Sequence, residues 1–195
     1  MSGWLSEEHS MRAAERILDA AAAVFAERGV AATQMADIAK AAGCSRATLY
    51  RYFDNRHAVQ RAFVHRSARR VGTLVAAEIH GIDDPPARLV AGVLASLRTV
   101  RADPLLIAWF RPGDAGLALE LAETSTVVTD IANSLLPSAP ADPAEPSLAH
   151  WLTRVIVSLL TVPGRTEDEE RAMLEQFIAP LIRTRARPRT GHRRD

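Results

Sequence analysis

Residues 33–56, TQMADIAKAAGCSRATLYRYFDNR, decide the fold. They read as two short helices about a tight turn. Ile38 and Ala39 give the first helix an apolar side, and Ala42 sits at its end. Gly43 can take the positive φ that stops a helix. Ser45 is a favoured N-cap for the next one. Leu49 and Phe53 are four apart and face a core. The opposite side of the second helix holds Arg46, Ala47, Thr48, Tyr50 and Arg51, and Ala47 is small enough to let backbone approach closely. A basic, aromatic face suits a helix that enters the DNA major groove. A helical hairpin in an ordinary core would carry mixed charge there.

The stretch resembles the N-terminal DNA-binding domain of the tetracycline-repressor (TetR-like) family. The resemblance runs from about Arg16 to Val59. It includes the helix ILDAAAAVFAERG and the pattern T-x-x-x-x-I-A-x-x-A-G-x-S-x-x-T-L-Y-x-Y-F, read at Thr33, Ile38, Ala39, Ala42, Gly43, Ser45, Thr48, Leu49, Tyr50, Tyr52 and Phe53. Two positions depart from the commonest form: Cys44 stands for Val and Arg56 for Lys. Cys is a small hydrophobe and Arg keeps the charge. Cys44 is compatible with a redox role, but its place in the turn favours packing.

The resemblance and the physics together assign roles. Thr33 can cap the first helix, and Thr33 and Gln34 lie where phosphate contacts are expected. Ser45, Arg46, Ala47 and Thr48 open the recognition helix. Arg46 and Thr48 are the candidates for base edges, since Arg pairs with guanine and Thr meets a thymine methyl. Tyr50, Arg51 and Tyr52 face backbone or bases. Arg56 opens the fourth helix, where its side chain and nearby amides can hold a phosphate.

The chain has 195 residues, 48% hydrophobic and 24% charged, within the range of a soluble globular protein of one or two domains. No apolar run is long enough to span a bilayer, and MSGWLSEEHSMR lacks the order of a signal peptide. One cysteine excludes an intrachain disulfide framework. A cytoplasmic protein is expected, with no membrane partner. The net charge of +1 hides an asymmetry. Residues 1–70 carry 11 Lys+Arg against 7 Asp+Glu, residues 71–180 carry 7 against 15, and residues 181–195 carry 6 against 1. Phosphate binding therefore belongs to one end of the molecule.

The expected fold is all-α: an N-terminal three-helix helix-turn-helix domain over 10–56, and a C-terminal helical ligand-binding and dimerisation domain over 57–185. Residues 186–195 form a basic tail, read as solubilising or as adding nonspecific DNA affinity. Helices are expected at about 10–28, 56–79, 85–101, from Pro104, 115–135, 147–162 and 166–185. Between the helices at 115–135 and 147–162 lies PSAPADPAEPS, whose prolines recur every third residue. It suits a stiff connecting loop or a proline-recognition ligand.

The helix at 147–162 is apolar nearly all round and must be covered on most sides. The next opens with Thr166 and Glu169 in capping-box spacing. Trp151, Leu152, Val155, Ile156, Leu159, Leu174, Phe177, Ile178 and Leu181 either complete the monomer core or meet a second copy. The resembled family uses these two helices as its dimer interface, and helix-turn-helix readers bind paired half-sites. A homodimer on a palindromic or near-palindromic operator follows.

The resemblance also implies a small-molecule effector held among the C-terminal helices. Leu94, Leu97, Leu106, Trp109, Phe110, Leu119, Val127 and Ile131 are the candidate lining, and each also reads as core. Their character points to an apolar ligand. No cofactor is implied. His80 with Asp83 and Asp84 is a weak metal candidate, since the six histidines are scattered and no pair stands at i, i+4. No catalytic nucleophile motif or phosphate-binding glycine loop is present. The sequence thus reads as a ligand-responsive transcription regulator, most simply a repressor, with an architectural helical protein as the alternative.

Overall fold

A computed structural model of the chain describes residues 3–136 and 147–185. Every regular element among them is helical: α1 (Gly3–Arg28), α2 (Met35–Ala41), α3 (Arg46–Tyr52), α4 (Arg56–Glu78), α5 (Pro85–Ala102), α6 (Pro104–Ile107), a 3₁₀ turn (Ala108–Phe110), α7 (Ala115–Glu123), α8 (Thr126–Ser134), α9 (Leu148–Thr161), α10 (Glu167–Met173), a π turn (Leu174–Ile178) and α11 (Ala179–Arg185). The proline-spaced segment and the basic tail lie outside the described residues.

Side-chain caps set most of these starts. Asn55, Asp84, Ser125, Ser147 and Thr166 each accept a hydrogen bond from the backbone N–H three residues on. The chain departs from the expected boundaries in three places. α1 begins at Gly3 rather than near residue 10. The run expected at 115–135 is two helices, because buried Ser125 caps α8 through Val128 N–H at 3.2 Å. The run at 166–185 contains a π turn, in which Ala179 N–H donates to the Leu174 carbonyl five residues back. Pro180 follows directly. It has no N–H and its ring crowds the carbonyl four residues before it, and a widened turn relieves that conflict.

Two apolar clusters fill the molecule. The first joins α1, α2, α3 and the start of α4 through Phe25, Ile38, Leu49, Val59 and Phe63. Trp109, Ala118 and Leu121 from the later helices also belong to it. The second surrounds α5, which packs against α4, α9, α10 and α11. α4 therefore contributes to both clusters. α8 lies close on α4 where Gly72 faces Ile131, and Leu135, just past the end of α8, faces Gly92 of α5; a Cβ at Gly92 would stand 2.7 Å from Leu135 Cδ2.

An ion pair, buried on its Glu170 side and partly exposed on its Arg101 side, clips α5 to α10. Glu170 is 1% exposed, and both its oxygens accept from Arg101, at 2.7 and 2.8 Å. It also accepts from Gly164 N–H at 2.8 Å, and Arg101 donates to the Leu159 carbonyl. The Arg101 hydrogen bonds hold the Glu170 carboxyl below the usual carboxylate range against the opposing effect of burial.

Candidate nucleic-acid interface and effector cavity

The turn between α2 and α3 forms as its residues dictate. Gly43 sits at φ +64°, and Ser45 Oγ accepts from Thr48 N–H at 3.0 Å. Leu49 is fully buried and Phe53 nearly so, which anchors α3 on the first cluster. Cys44 is half-buried and packs against the same cluster. The outward side of α3 carries Arg46, Ala47, Tyr50 and Arg51, all exposed, with no acidic residue in the helix. Arg51 lies over the Tyr52 ring at 5.3 Å, which limits its rotamers. The Ser45 and Thr48 hydroxyls are 2.9 Å apart and occupy each other at the helix start.

Two of the side chains expected at phosphates are used otherwise. Thr33 is fully buried, and its hydroxyl donates to the Gly29 carbonyl at 2.8 Å. Arg56 donates to the carbonyls of Ala31 and Thr33, at 2.6 and 3.1 Å. Both fix the α1–α2 connection, Thr33 from within the core and Arg56 from a half-exposed position. Nor does Thr33 cap α2. That place belongs to exposed Gln34, whose backbone N–H donates to Asp37 at 3.0 Å.

An apolar cavity of about 170 Å³ lies between α4, α5, α7, α8 and α9. Four expected residues line it: Leu106, Trp109, Phe110 and Ile131. Leu94 and Leu97 do not; they are buried in the second cluster on other sides of α5, while Ser96 and Val100 face the cavity. Leu119 and Val127 are half-buried outside it, because one residue along a helix turns the side chain by about 100°. Their neighbours Ala118 and Val128 line the wall instead. Phe63, Val64, Ser67 and Ala68 bring α4 into the wall, and Thr153, Ile156 and Val157 bring α9.

The cavity touches the N-terminal helices directly. Trp109 stacks on Phe63, with centroids 5.2 Å apart and planes at 6°, and meets Phe25 of α1 edge-to-face, also at 5.2 Å. A few residues on, the Asp114 carboxylate accepts from Val30 N–H at 3.1 Å and Ala31 N–H at 2.8 Å. Arg111 donates to the Ala26 carbonyl at 2.8 Å. The turn after Trp109 is thus fastened to the end of α1 at three points. Sequence reasoning had no signal for Asp114, which does not cap its own helix.

Residues 17–62 match the family described as bacterial regulatory proteins, tetR family. The HTH-type transcriptional regulator Rv1255c of Mycobacterium tuberculosis is 44% identical over 181 residues, spanning 92% of this chain and 90% of that protein. The chain belongs to the TetR family of transcriptional regulators. It is similar, at 25% identity over 86% of its length and 83% of the relative's, to the regulator AlkX of M. tuberculosis. The crystal structure of the TetR family repressor AlkX from a Dietzia species, implicated in biodegradation of n-alkanes, is also 25% identical. It superimposes with a TM-score of 0.57 over 88% of this chain and 96% of that one. TetR family membership makes the α2–turn–α3 unit a DNA-binding element and the protein a regulator, not an enzyme.

The closing helices of this TetR family member divide the expected interface residues into two sets. Leu152, Leu174 and Ile178 are buried in the monomer and Ile156 lines the cavity, so these four point inward. Trp151, Phe177 and Leu181 stay exposed, Phe177 at 62%. Val155 and Leu159 border an apolar groove between α9 and the π turn. Among the described residues no group of three His, Cys, Asp or Glu is placed to hold a metal. Asp84 of the weak metal candidate caps α5. No helix among the described residues is long and apolar enough to cross a membrane.

Proposed function

We propose that the protein is a homodimeric repressor that leaves its operator when a mainly apolar ligand enters the cavity. The observation that carries this reading is Trp109, which lines the cavity while it packs on Phe25 and Phe63. A ligand that displaces Trp109 must also move α1 or α4. To shift the population from 1:99 to 99:1, it must favour the DNA-incompetent state by about 5.5 kcal/mol.

Operator reading falls to Arg46, Ala47, Thr48, Tyr50 and Arg51, with Gln34, Ser45 and Tyr52 flanking them. Thr33 and Arg56 support the head from behind. Two copies pair through Trp151, Val155, Leu159, Phe177 and Leu181, an exposed apolar face on helices that already pack on α5. The likeness to AlkX, a repressor implicated in n-alkane biodegradation, supports both repression and an apolar effector.

The test is selection of fragmented genomic DNA by the purified protein at moderate salt, followed by sequencing. Enrichment of one inverted repeat, with half-site centres about one or more DNA turns apart, is expected. Uniform retention of all fragments refutes the reading.

A further inference from the structure

The recognition helix offers a narrow set of groups to the bases. α3 reads RATLYRY, with no amide and no carboxylate side chain. Leu49 is fully buried, and Phe53, just past the helix end, nearly so. At about 100° per residue, the direction opposite these two falls on Ala47 and Arg51, one turn apart. Both are exposed, as are Arg46 and Tyr50 beside them. In the N-terminal half of the helix, the half that meets base edges, the outward residue is therefore an alanine. Its side chain is a single methyl. The Thr48 hydroxyl lies 2.9 Å from Ser45 Oγ, which also accepts the Thr48 N–H at 3.0 Å. The polar branch of Thr48 is thus turned to the helix cap.

Each base presents its own edge in the major groove. Adenine is read by the paired acceptor and donor of Asn or Gln, and cytosine by a carboxylate that accepts from N4. α3 has neither. The nearest such groups outside it are placed elsewhere. Gln34 opens α2, the helix of the motif that crosses the DNA backbone. Asn55 spends its side-chain oxygen on the Ala58 N–H at 2.9 Å. Asp54 follows the C-terminal end of α3, away from the residues that contact bases. What remains is a methyl, which suits the C5-methyl of thymine, and guanidinium groups, which suit guanine O6 and N7. Arg51 lies over the Tyr52 ring at 5.3 Å, so Arg46 is the guanidinium free to extend.

We infer that this regulator reads each operator half-site through a thymine methyl met by Ala47 and a guanine paired with Arg46, and reads no adenine or cytosine by its own major-groove edge. The inference rests on the reading of α3 as the helix that meets the operator. It makes the small size of Ala47 a base contact in itself, since a longer side chain there would hold the helix off the thymine. Adenine and cytosine positions are then fixed only as complements of the bases that are touched.

The test uses the inverted repeat enriched from genomic DNA, made as synthetic duplexes with one base analogue per half-site. Deoxyuridine removes only the thymine methyl. 7-Deazaguanine and 7-deazaadenine remove the N7 acceptor. Binding of the full-length protein is followed by fluorescence anisotropy at fixed salt. Deoxyuridine at one thymine should weaken binding about fourfold per half-site, and 7-deazaguanine at one guanine roughly tenfold. 7-Deazaadenine should stay within about twofold at every adenine. The deoxyuridine penalty should vanish in Ala47→Gly, and the 7-deazaguanine penalty in Arg46→Ala. Each penalty is a ratio between two duplexes on one protein, so a general weakening of α3 by glycine cancels. Three results would overturn the inference. Deoxyuridine is neutral at every thymine, or its penalty survives intact in Ala47→Gly, or 7-deazaadenine costs roughly tenfold at any adenine. Enrichment of no repeat would overturn the regulator reading as well, so the two failures remain separable.

Discussion

The carboxylate of Asp114 lies 3.1 Å from the backbone nitrogen of Val30, 84 residues away in the chain. The same carboxylate takes the N–H of Ala31. Both donors belong to the connection that ends α1 and leads into α2. A single side chain of the C-terminal half thus holds the turn that leads from α1 into α2. Replacing Asp114 with Ala leaves the Val30 N–H buried and unpaired, at a cost of about 1–3 kcal/mol. Urea unfolding should show that loss, and operator release by any effector should become less complete because two of the three fastenings are gone.

Arg46 stands exposed at the first position of α3, and no side chain among the described residues pairs with it. Arg46→Ala should cost about 1–3 kcal/mol of operator binding, concentrated at one base pair. Binding to a panel of single-base operator variants checks this. An equal loss on every sequence would make Arg46 a phosphate contact. Arg56→Ala should behave differently. It frees two carbonyls of the α1–α2 connection and should lower the melting temperature before it alters base preference.

Phe177 is exposed on the face proposed for pairing, so a charge there leaves the monomer core intact. Phe177→Glu should shift the protein from dimer to monomer in sedimentation equilibrium at micromolar concentration. Operator affinity should fall in step, because two half-sites are then bound without the gain from linkage.

The Glu170–Arg101 pair makes stability depend on pH with a definite sign. The native carboxyl is held below its unfolded value by Arg101. Its contribution is therefore complete above about pH 4.5 and is lost as pH falls through the lowered native value. Glu170→Gln should cost about 2–3 kcal/mol at neutral pH, since Arg101 keeps some access to water. It should also flatten the acid limb of the stability curve, as urea unfolding between pH 3 and pH 7 would show.

The head of the molecule was legible because its determinants are local. Gly43, Ser45, Leu49 and Phe53 act within one turn of one another, and the structure places each as their chemistry requires. The membership of the cavity was only half legible. Hydropathy marks Leu94, Leu97, Leu106 and Trp109 alike as buried. Which of them meets empty space depends on how α5, α7, α8 and α9 rotate about their axes. The polar part of the wall was hidden for a related reason. Ser96 and Thr153 satisfy their protons within their own helices, so nothing in the sequence separates them from surface hydroxyls. Asp114 was out of reach altogether, because its partners are backbone groups in a distant loop.

The two walls of the cavity differ in their freedom to evolve. Trp109 and Phe63 are shared with the packing of α1, so any substitution that reshapes the cavity there also disturbs the reading head. Val128, Ile156 and Val157 line the cavity from α8 and α9, helices that make no aromatic contact with α1 among the described residues. New ligand preferences can arise on that side while the operator is still read. Relatives that answer to different chemicals should therefore diverge first along α8 and α9, and keep an aromatic pair where Trp109 meets Phe63.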